Sequence, residues 1–576
     1  MFFAATGAVL DVLGPPQDDS WLAAWAARVE RAAARLAWRD MQIAMRPHRG
    51  GMLLAITAPV DQLFLATEVN EWATCATLAE LAPERGDLLE RALVAASPAD
   101  PAPVLEETAA LARFEQLQSV QSNEALRTLL DAAEARLLPS VLDDTELTLG
   151  AGSGGRTYPL TALPDCRSVP WAELFAIPTA LVTGSNGKTT TVRLLAACAR
   201  AHGWHTGYNC TDGVFIDAEA LASGDYSGPA GARLVMRSNR AEAAILETAR
   251  GGILRRGIAV SHAAAAVVTN ISSDHFGEYG IDDLDGLADV KLSVAAALRP
   301  SGLLVLNADD VVLRRRAGEL SGRFGRAPRL GWFALDDEHA LLRTHRRDDG
   351  WTCGVAAGRL RLTCGGDAHD LGSIAAMPLS LRGLAAYNVA NLAAAALAAR
   401  ALGIPVPIIA DVFAHFGGTA RDNAGRLMRF DRGGVRVLVD YAHNPDGLRG
   451  FLAVAQGLRS AGGRLGLLLG HAGNRQDGDI EALARVAAEF HPDLIVVKEN
   501  ESQLRGRAPG EIPGILRREL QRLGLPDSAV SETGSEYEAA RLSLDWARPG
   551  DVLAMPIHGL DARAAVLALL ESQPGV

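Results

Sequence analysis

The chain has 576 residues, 48% of them hydrophobic and 22% charged, and a formal net charge of -12. Such a length exceeds one hydrophobic core and predicts roughly three or four domains of about 150 residues, while the acidic balance argues against a binder of phosphate backbones, which carries a basic face. Six scattered cysteines (Cys75, Cys166, Cys198, Cys210, Cys353, Cys364) form no CxxC pair, which argues against a zinc site or disulfide framework and for a reducing compartment.

The opening "MFFAATGAVLDVLGPPQDD" has no basic stretch before its short apolar run, unlike a secretory signal. No apolar run reaches the roughly 18 residues of a membrane span. The expectation is a cytoplasmic protein without nucleic-acid or membrane partners. Residues 1–165 read as an α+β domain for substrate or acceptor binding or for homo-oligomerisation. It has a helix at "WLAAWAARVERAAARL", a hairpin at "MQIAMRPHRGGMLLAIT" turning at its two glycines, then helices from about 60 to 137. "APVDQLFLATEVNEWATCATLAEL" clusters Glu68, Asn70, Glu71 and Trp72 on one helix, read as a solvated acidic face with core aromatics. "GAGSGGRTYPL" is a loop or linker.

From about 170 short apolar strands alternate with helices, the mark of a parallel sheet covered by helices. The domains expected here are a central α/β domain, 166–425, which the loop motif below makes the ATP-binding one, and a C-terminal Rossmann-like domain, 426–576, with strands at "VRVLVDYAH", "RLGLLLGHAG", "DLIVVKEN" and "DVLAMPIHG". The fold class is α/β. Ligands of such sheets gather beyond the C-terminal strand ends.

The strongest motif is "TGSNGKTTT", Thr183 to Thr191, between a strand and a helix. Gly184, Ser185, Asn186 and Gly187 let backbone N–H groups approach phosphates at the positive end of a helix. Lys188 is placed to bridge the β and γ phosphates, and the Thr189 hydroxyl, followed by Thr190, to ligate magnesium. The general P-loop glycine six residues before the lysine is replaced by Val182. Glu247 ends the buried strand "AILE", where a bare carboxylate is costly and a magnesium ion would compensate it. Only three lysines occur, at 188, 291 and 498, against 56 lysines and arginines together. Arginine supplies charge wherever charge suffices, so these three are suspects for chemistry that needs an amine.

The form TGxNGKTTT resembles the P-loop of the Mur ligase superfamily, which joins carboxylates to amines with ATP. Within it, "YNCTDGVFIDAEALASGDYSGPAGA", "LETARGGILRRG", "TNISSDHFGEYGI", "LNADD", "DYAHNPDGL" and "LRGRAPGE" are most similar to the Mur-ligase-like module of the cyanophycin synthetase type, over about 175 to 560. The resemblance implies a two-magnesium site of Thr189, Glu247, His275 and Lys291, with Lys291 carbamylated. It implies adenine contacts from Asn388 and Asn391, a ribose contact from Asp440 with His443 beside it, and Arg426 on the terminal phosphate. Amino-acid recognition is expected from Asn474, Arg475, Lys498, Arg505 and Arg507, and Asn474 stands where relatives commonly carry aspartate.

The implied activity is an ATP-dependent amino-acid or peptide ligase working through an acyl phosphate, with ATP, magnesium, an amino acid and a carboxylate-bearing peptide or polymer as its small partners. In the cyanophycin type an ATP-grasp module precedes the Mur-like part, and about 165 residues cannot hold one, so at most one of that type's two ligations is expected. A peptidoglycan-type ligase acting on a UDP-sugar peptide, and a silent nucleotide-binding scaffold, are the alternatives.

Overall fold

The computed structural model describes residues 5–14, 18–48, 50–81, 105–273, 276–277, 279–473, 475–499 and 503–571. The chain packs as two units. The first holds 1–150, 156–175 and 276–290, and the second 151–155, 176–275 and 291–576. The boundary expected at 165 therefore lies inside the first unit.

In the first unit Gly7–Leu13, Gly51–Thr57 and Ile43–His48 form an antiparallel sheet with Gly51–Thr57 in the middle. The hairpin pairs His48 with Gly51, so Gly51 already belongs to the strand rather than the turn. Leu54 and Ile56 face Trp25, Val29, Val69, Trp72 and Phe114 from the helices Asp19–Arg35, Leu63–Leu81 and Glu107–Gln121. Asn70 is a core residue, accepting from Trp25 Nε1 at 3.1 Å and donating to the Leu54 carbonyl at 3.0 Å. Glu68 and Glu71 are half-buried rather than fully solvated. Burial, with Glu68 beside it, pushes the Glu71 carboxyl up to about 7.

Among the described residues the second unit carries two α/β sheets. The larger has eleven strands, with Thr179–Thr183 between Ala243–Glu247 and Ala263–Val268, all three parallel. Every residue of those strands is buried, as the run of alanine, valine and leucine dictates for a sheet covered on both faces. Val182 lies in register with both Glu247 and Val267, so three strands end at one level and deliver the P-loop, Glu247 and Thr269 to one place. The far edge is an antiparallel meander, Trp351–Ala356, Arg359–Cys364 and Asp367–Ser373.

The smaller sheet runs Met428–Arg432, Val435–Asp440, Val552–Pro556, Leu465–Leu469, Leu494–Lys498, Val530–Thr533. All its pairings are parallel except the first hairpin. No helix of the described residues is long and apolar enough to cross a membrane. All six cysteines are free thiols.

Candidate active site

The loop after Thr179–Thr183 turns through Gly184, with φ 142°, and Gly187, with φ 84°, into the helix Lys188–Ala201. Neither glycine tolerates a side chain. A Cβ on Gly184 would lie 1.8 Å from Thr269 Oγ1, and one on Gly187 2.3 Å from Asn391 Oδ1. The segment after Ala263–Val268 braces the loop from below. Ser185 N–H donates to the Asn270 carbonyl at 3.0 Å, Asn186 N–H to Asn270 Oδ1 at 2.8 Å, and Thr269 Oγ1 and Asn270 Nδ2 donate to the Asn186 carbonyl at 2.5 and 3.1 Å. Ser185 Oγ donates to the Ser272 carbonyl at 2.9 Å and accepts from Ser272 N–H at 3.0 Å. Ser185 and Asn186 thus spend their own N–H groups on Asn270, and a loop held at so many points keeps the N–H groups that follow, at the start of the helix Lys188–Ala201, pre-aimed, so little reorganisation accompanies anion binding.

Lys188 Nζ donates to the carbonyls of Gly184 and Ser185, both at 3.0 Å. Thr189 Oγ1 donates to Glu247 Oε2 at 2.9 Å and accepts from Arg426 Nη2 at 3.3 Å, while Thr211 Oγ1 reaches Glu247 Oε1 at 3.4 Å. Burial pushes the Glu247 carboxyl above its ordinary range, against the pull of Lys188, the Thr189 hydroxyl and Arg426. A buried carboxylate under that penalty, flanked by two threonine hydroxyls, suits a hard divalent cation, which restores the ionised form. Among the described residues no three His, Cys, Asp or Glu gather into a metal cluster. His275, assigned to such a site from the sequence, lies outside the described residues.

Lys291, on the helix Leu284–Leu292, is buried, and its Nζ donates to the Gly184 carbonyl at 2.8 Å. Its amine thus sits under the P-loop.

The helix Ala386–Ala401 is almost wholly buried, and Asn388 and Asn391 are its polar exceptions. Asn388 Nδ2 donates to the Leu379 carbonyl at 3.1 Å, and its Oδ1 accepts from Asn391 Nδ2 at 3.1 Å. From the smaller sheet come Arg426 and Asp440 to Asn444. Arg426 stacks on the Tyr441 ring at 4.2 Å, and its buried Nη1 has no partner. Asp440 Oδ2 accepts the Leu427 N–H at 2.7 Å. Burial raises the Asp440 carboxyl, opposed by Arg426 and by the N–H groups of Leu427, Tyr441 and Ala442. Asn444 Nδ2 donates to Asn186 Oδ1 at 2.9 Å, joining the smaller sheet to the P-loop directly.

These residues enclose a cavity of about 510 Å³. It is lined by P-loop residues Ser185 to Thr190, by Glu247, Asn388 and Asn391, and by Arg426, Asp440 and His443. Gly184 and Lys291 lie behind this lining.

The substrate loops depart from expectation. Lys498 is enclosed at the end of Leu494–Lys498, with 1% exposure, and its ammonium is ion-paired with Glu536. The residue expected in substrate recognition is therefore placed in a buried ion pair. Arg507, expected to fork onto a carboxylate, already uses all three of its nitrogens. Nε donates to the Gly473 carbonyl at 3.0 Å, Nη1 to Glu511 at 2.5 Å, and Nη2 to the Arg475 carbonyl and Asp477 at 2.5 and 2.8 Å. It staples two loops together. Arg475 is buried beside it, Arg505 is exposed with φ 46°, and Asn474 lies outside the described residues. Sequence reasoning passed over Thr211, Thr269, Asn270, Tyr441 and the bridging role of Asn444, all of which lie inside motifs it quoted.

The "Mur ligase middle domain" model matches residues 182–399, and the model "Mur ligase, glutamate ligase domain" matches 425–555. Cyanophycin synthetase of Synechocystis sp. is 35% identical over 340 residues, 59% of this chain and 38% of that protein. Cyanophycin synthetase of Nostoc sp. is 35% identical over 394 residues, 68% of this chain and 42% of that protein. The UDP-N-acetylmuramoyl-L-alanyl-D-glutamate--2,6-diaminopimelate ligase of Alkalilimnicola ehrlichii is 30% identical over 416 residues, 66% of this chain and 78% of that protein. The chain thus spans about two fifths of the length of the cyanophycin synthetases it matches.

Proposed function

The chain belongs to the Mur ligase family, and from that premise we propose that it is an ATP-dependent ligase joining an amino acid to a carboxylate-bearing peptide through an acyl phosphate. The observation that carries this reading is the single cavity in which the P-loop, Glu247, Arg426 and Asp440 converge from two sheets.

The nucleotide's phosphates take the P-loop N–H groups, and Lys188 exchanges its two loop carbonyls for phosphate oxygens. Arg426 offers its unpartnered Nη1 to the terminal phosphate. Asp440 accepts from ribose hydroxyls, and Asn388 and Asn391 meet the adenine edge. Thr189, Glu247 and Lys291 would hold magnesium, with His275 completing the two-ion set, and the ions would supply charge neutralisation on the transferred phosphoryl group. Lys291 is carbamylated in this reading. A carbamate nitrogen keeps one N–H, which can go on donating to the Gly184 carbonyl.

The acceptor carboxylate attacks the γ-phosphorus, the bond to the β-bridging oxygen breaks, and ADP departs. The amine of the second substrate then attacks the acyl carbon, loses a proton and expels phosphate, leaving an amide or isopeptide bond. Because residues of the smaller sheet complete the site, that sheet must lie against the P-loop for turnover, and this excludes water from the acyl phosphate. The cyanophycin synthetases share higher identity with the chain than the peptidoglycan-type ligase does, which favours a cyanophycin-like acidic peptide over a UDP-sugar peptide as acceptor.

The test is a mass-spectrometric screen of amino acids against acidic peptides with ATP and magnesium. Amine-dependent release of ADP and phosphate with a product one amide bond heavier is expected. AMP and pyrophosphate, or no turnover with any pair, would overturn the reading.

A further inference from the structure

Asp212 follows the strand Thr206–Cys210 and is used by none of the steps above, yet both of its oxygens are held by arginines. One of its oxygens pairs with Arg193, on the P-loop helix one turn beyond Thr189 and Thr190, and the other accepts from Arg563 Nη2 at 2.7 Å, on the last helix, Leu560–Glu571. The three side chains are 9%, 10% and 11% exposed. Two helices from different sheets therefore meet on one buried carboxylate.

Between those guanidinium groups runs the segment 423–426, which delivers Arg426. Arg193 Nη1 donates to the Ala424 carbonyl at 2.6 Å. Asn423 Nδ2 donates to Thr190 Oγ1 at 3.2 Å. On the other side Arg563 lies so close that a Cβ on Gly425 would fall 2.1 Å from its Nη1, and Gly425 has φ 73°. The backbone is pressed between two arginines that share one anchor, and at its end Arg426 reaches Thr189 Oγ1 at 3.3 Å.

We propose that Asp212 is a positioning residue for Arg426: it clamps residues 423–426 between Arg193 and Arg563 and thereby sets the Arg426 guanidinium over the phosphate site. The role assigned to Arg426 rests on the ligase reading above; the clamp itself rests on geometry. Arg193, Arg426 and Arg563 all act on the Asp212 carboxylate, which burial pushes up and their charges pull below its ordinary range. Asp212 is shared by Arg193 and Arg563, while Arg426 also faces Glu247 and Asp440, so the clamp holds Arg426 where an arriving phosphate can meet it, and the clamp and the nucleotide reinforce one another. Without Asp212, Arg563 keeps a buried charge with no counterion, and the segment it presses on loses one wall.

The experiment compares the parent with Asp212→Asn, Arg563→Gln, Arg563→Lys and the Asp212→Asn/Arg563→Gln double variant. Asp212→Asn keeps the shape of the side chain, and Arg563→Lys keeps the charge. Two readings are taken: hydrogen exchange at the amides of Arg426 and Leu427 in nucleotide-free protein, and calorimetric affinity for a magnesium complex of a non-hydrolysable ATP analogue. Those amides donate to the Asn423 carbonyl at 3.0 Å and to Asp440 at 2.7 Å. Faster exchange is expected in Asp212→Asn and Arg563→Gln, with affinity about tenfold weaker in each, the size of one charge-assisted hydrogen bond. The double variant should be no worse than the weaker single, and Arg563→Lys intermediate. Unchanged exchange at both amides, or strictly additive affinity losses, would overturn the clamp. A parent that binds no nucleotide defeats the ligase reading instead, while the exchange rates still decide the clamp.

Discussion

Lys188 and Lys291 donate to the same atom, the carbonyl oxygen of Gly184, at 3.0 and 2.8 Å. One lysine belongs to the P-loop itself; the other arrives from 107 residues along the chain. A carbonyl has two acceptor positions, so both fit. Two ammonium groups brought to one oxygen repel, and the carbamate proposed on Lys291 would relieve that repulsion and offer a ligand for a cation.

Lys291→Arg separates charge from chemistry. Its guanidinium keeps a donor toward Gly184 but cannot take up carbon dioxide. The variant should fold and lose ATP turnover by at least about a hundredfold, the scale of one group lost from transition-state stabilisation. Lys291→Ala should recover part of the activity when a short carboxylate is added. An arginine variant as active as the parent would remove the carbamate from the proposal.

Gly187→Ala should cripple nucleotide binding. The left-handed φ of 84° costs alanine about 1 kcal/mol, and the new methyl group would lie 2.3 Å from Asn391 Oδ1. Asn391 must then leave its place beside Asn388. Thermal unfolding should drop by a few degrees, while titration with ATP should show a loss well beyond tenfold. An affinity equal to the parent's would mean that Asn391 and the loop are not coupled.

Arg507 and Arg505 make a paired test of the amino-acid loop. Arg507→Ala removes the donors that hold Gly473, Arg475, Asp477 and Glu511 together. It should raise the KM for the amino acid by about tenfold, as expected for a few lost hydrogen bonds, with nucleotide affinity unchanged. Arg505, exposed at the loop surface, is the residue we propose as the direct ligand. Arg505→Gln should affect KM without lowering thermal stability, and equal stability loss in both variants would contradict this division.

The strands around the site were legible in the sequence because continuous apolar runs such as "AILE" and "AAAAVV" have no soluble alternative, and the loop after Thr179–Thr183 declares itself through its place between a strand and a helix and the three threonines after Lys188, despite Val182 where the general pattern has glycine. The bracing partners were not. Thr269, Asn270 and Ser272 hold the loop from more than 80 residues away, and ordinary polar residues after a strand carry no mark of what they touch. The strand Gly7–Leu13 was missed because its one-sided burial depends on pairing with Gly51–Thr57. The rarity of lysine drew attention to all three positions but could not separate the two under the P-loop from Lys498, whose ammonium answers a carboxylate 38 residues later.

That last pair sets the behaviour of the smaller sheet in acid. Glu536 pairs with Lys498 and accepts the N–H groups of His558 and Gly559 at 2.9 and 2.8 Å. Burial opposes its ionisation, yet Lys498, His558 and these donors hold its carboxyl down at about 2, while burial and Lys498 push the His558 imidazole down to about 3. From pH 6.5, the ordinary histidine value, down to about 3, the unfolded chain carries a proton on residue 558 that the folded chain refuses. Each step toward acid therefore favours unfolding, by up to about 1.4 kcal/mol per pH unit. Below 4.5, the ordinary glutamate value, Glu536 adds a second such proton until about 2. His558→Gln should flatten the stability curve between pH 6.5 and 5 and leave the steeper fall below 4.5. Lys498→Met, which strands the carboxylate, should cost about 3–5 kcal/mol at pH 7, and adding Glu536→Gln should restore part of it. Denaturant unfolding across this pH series decides the matter, since a His558→Gln slope equal to the parent's would show that residue 558 titrates normally in the folded protein.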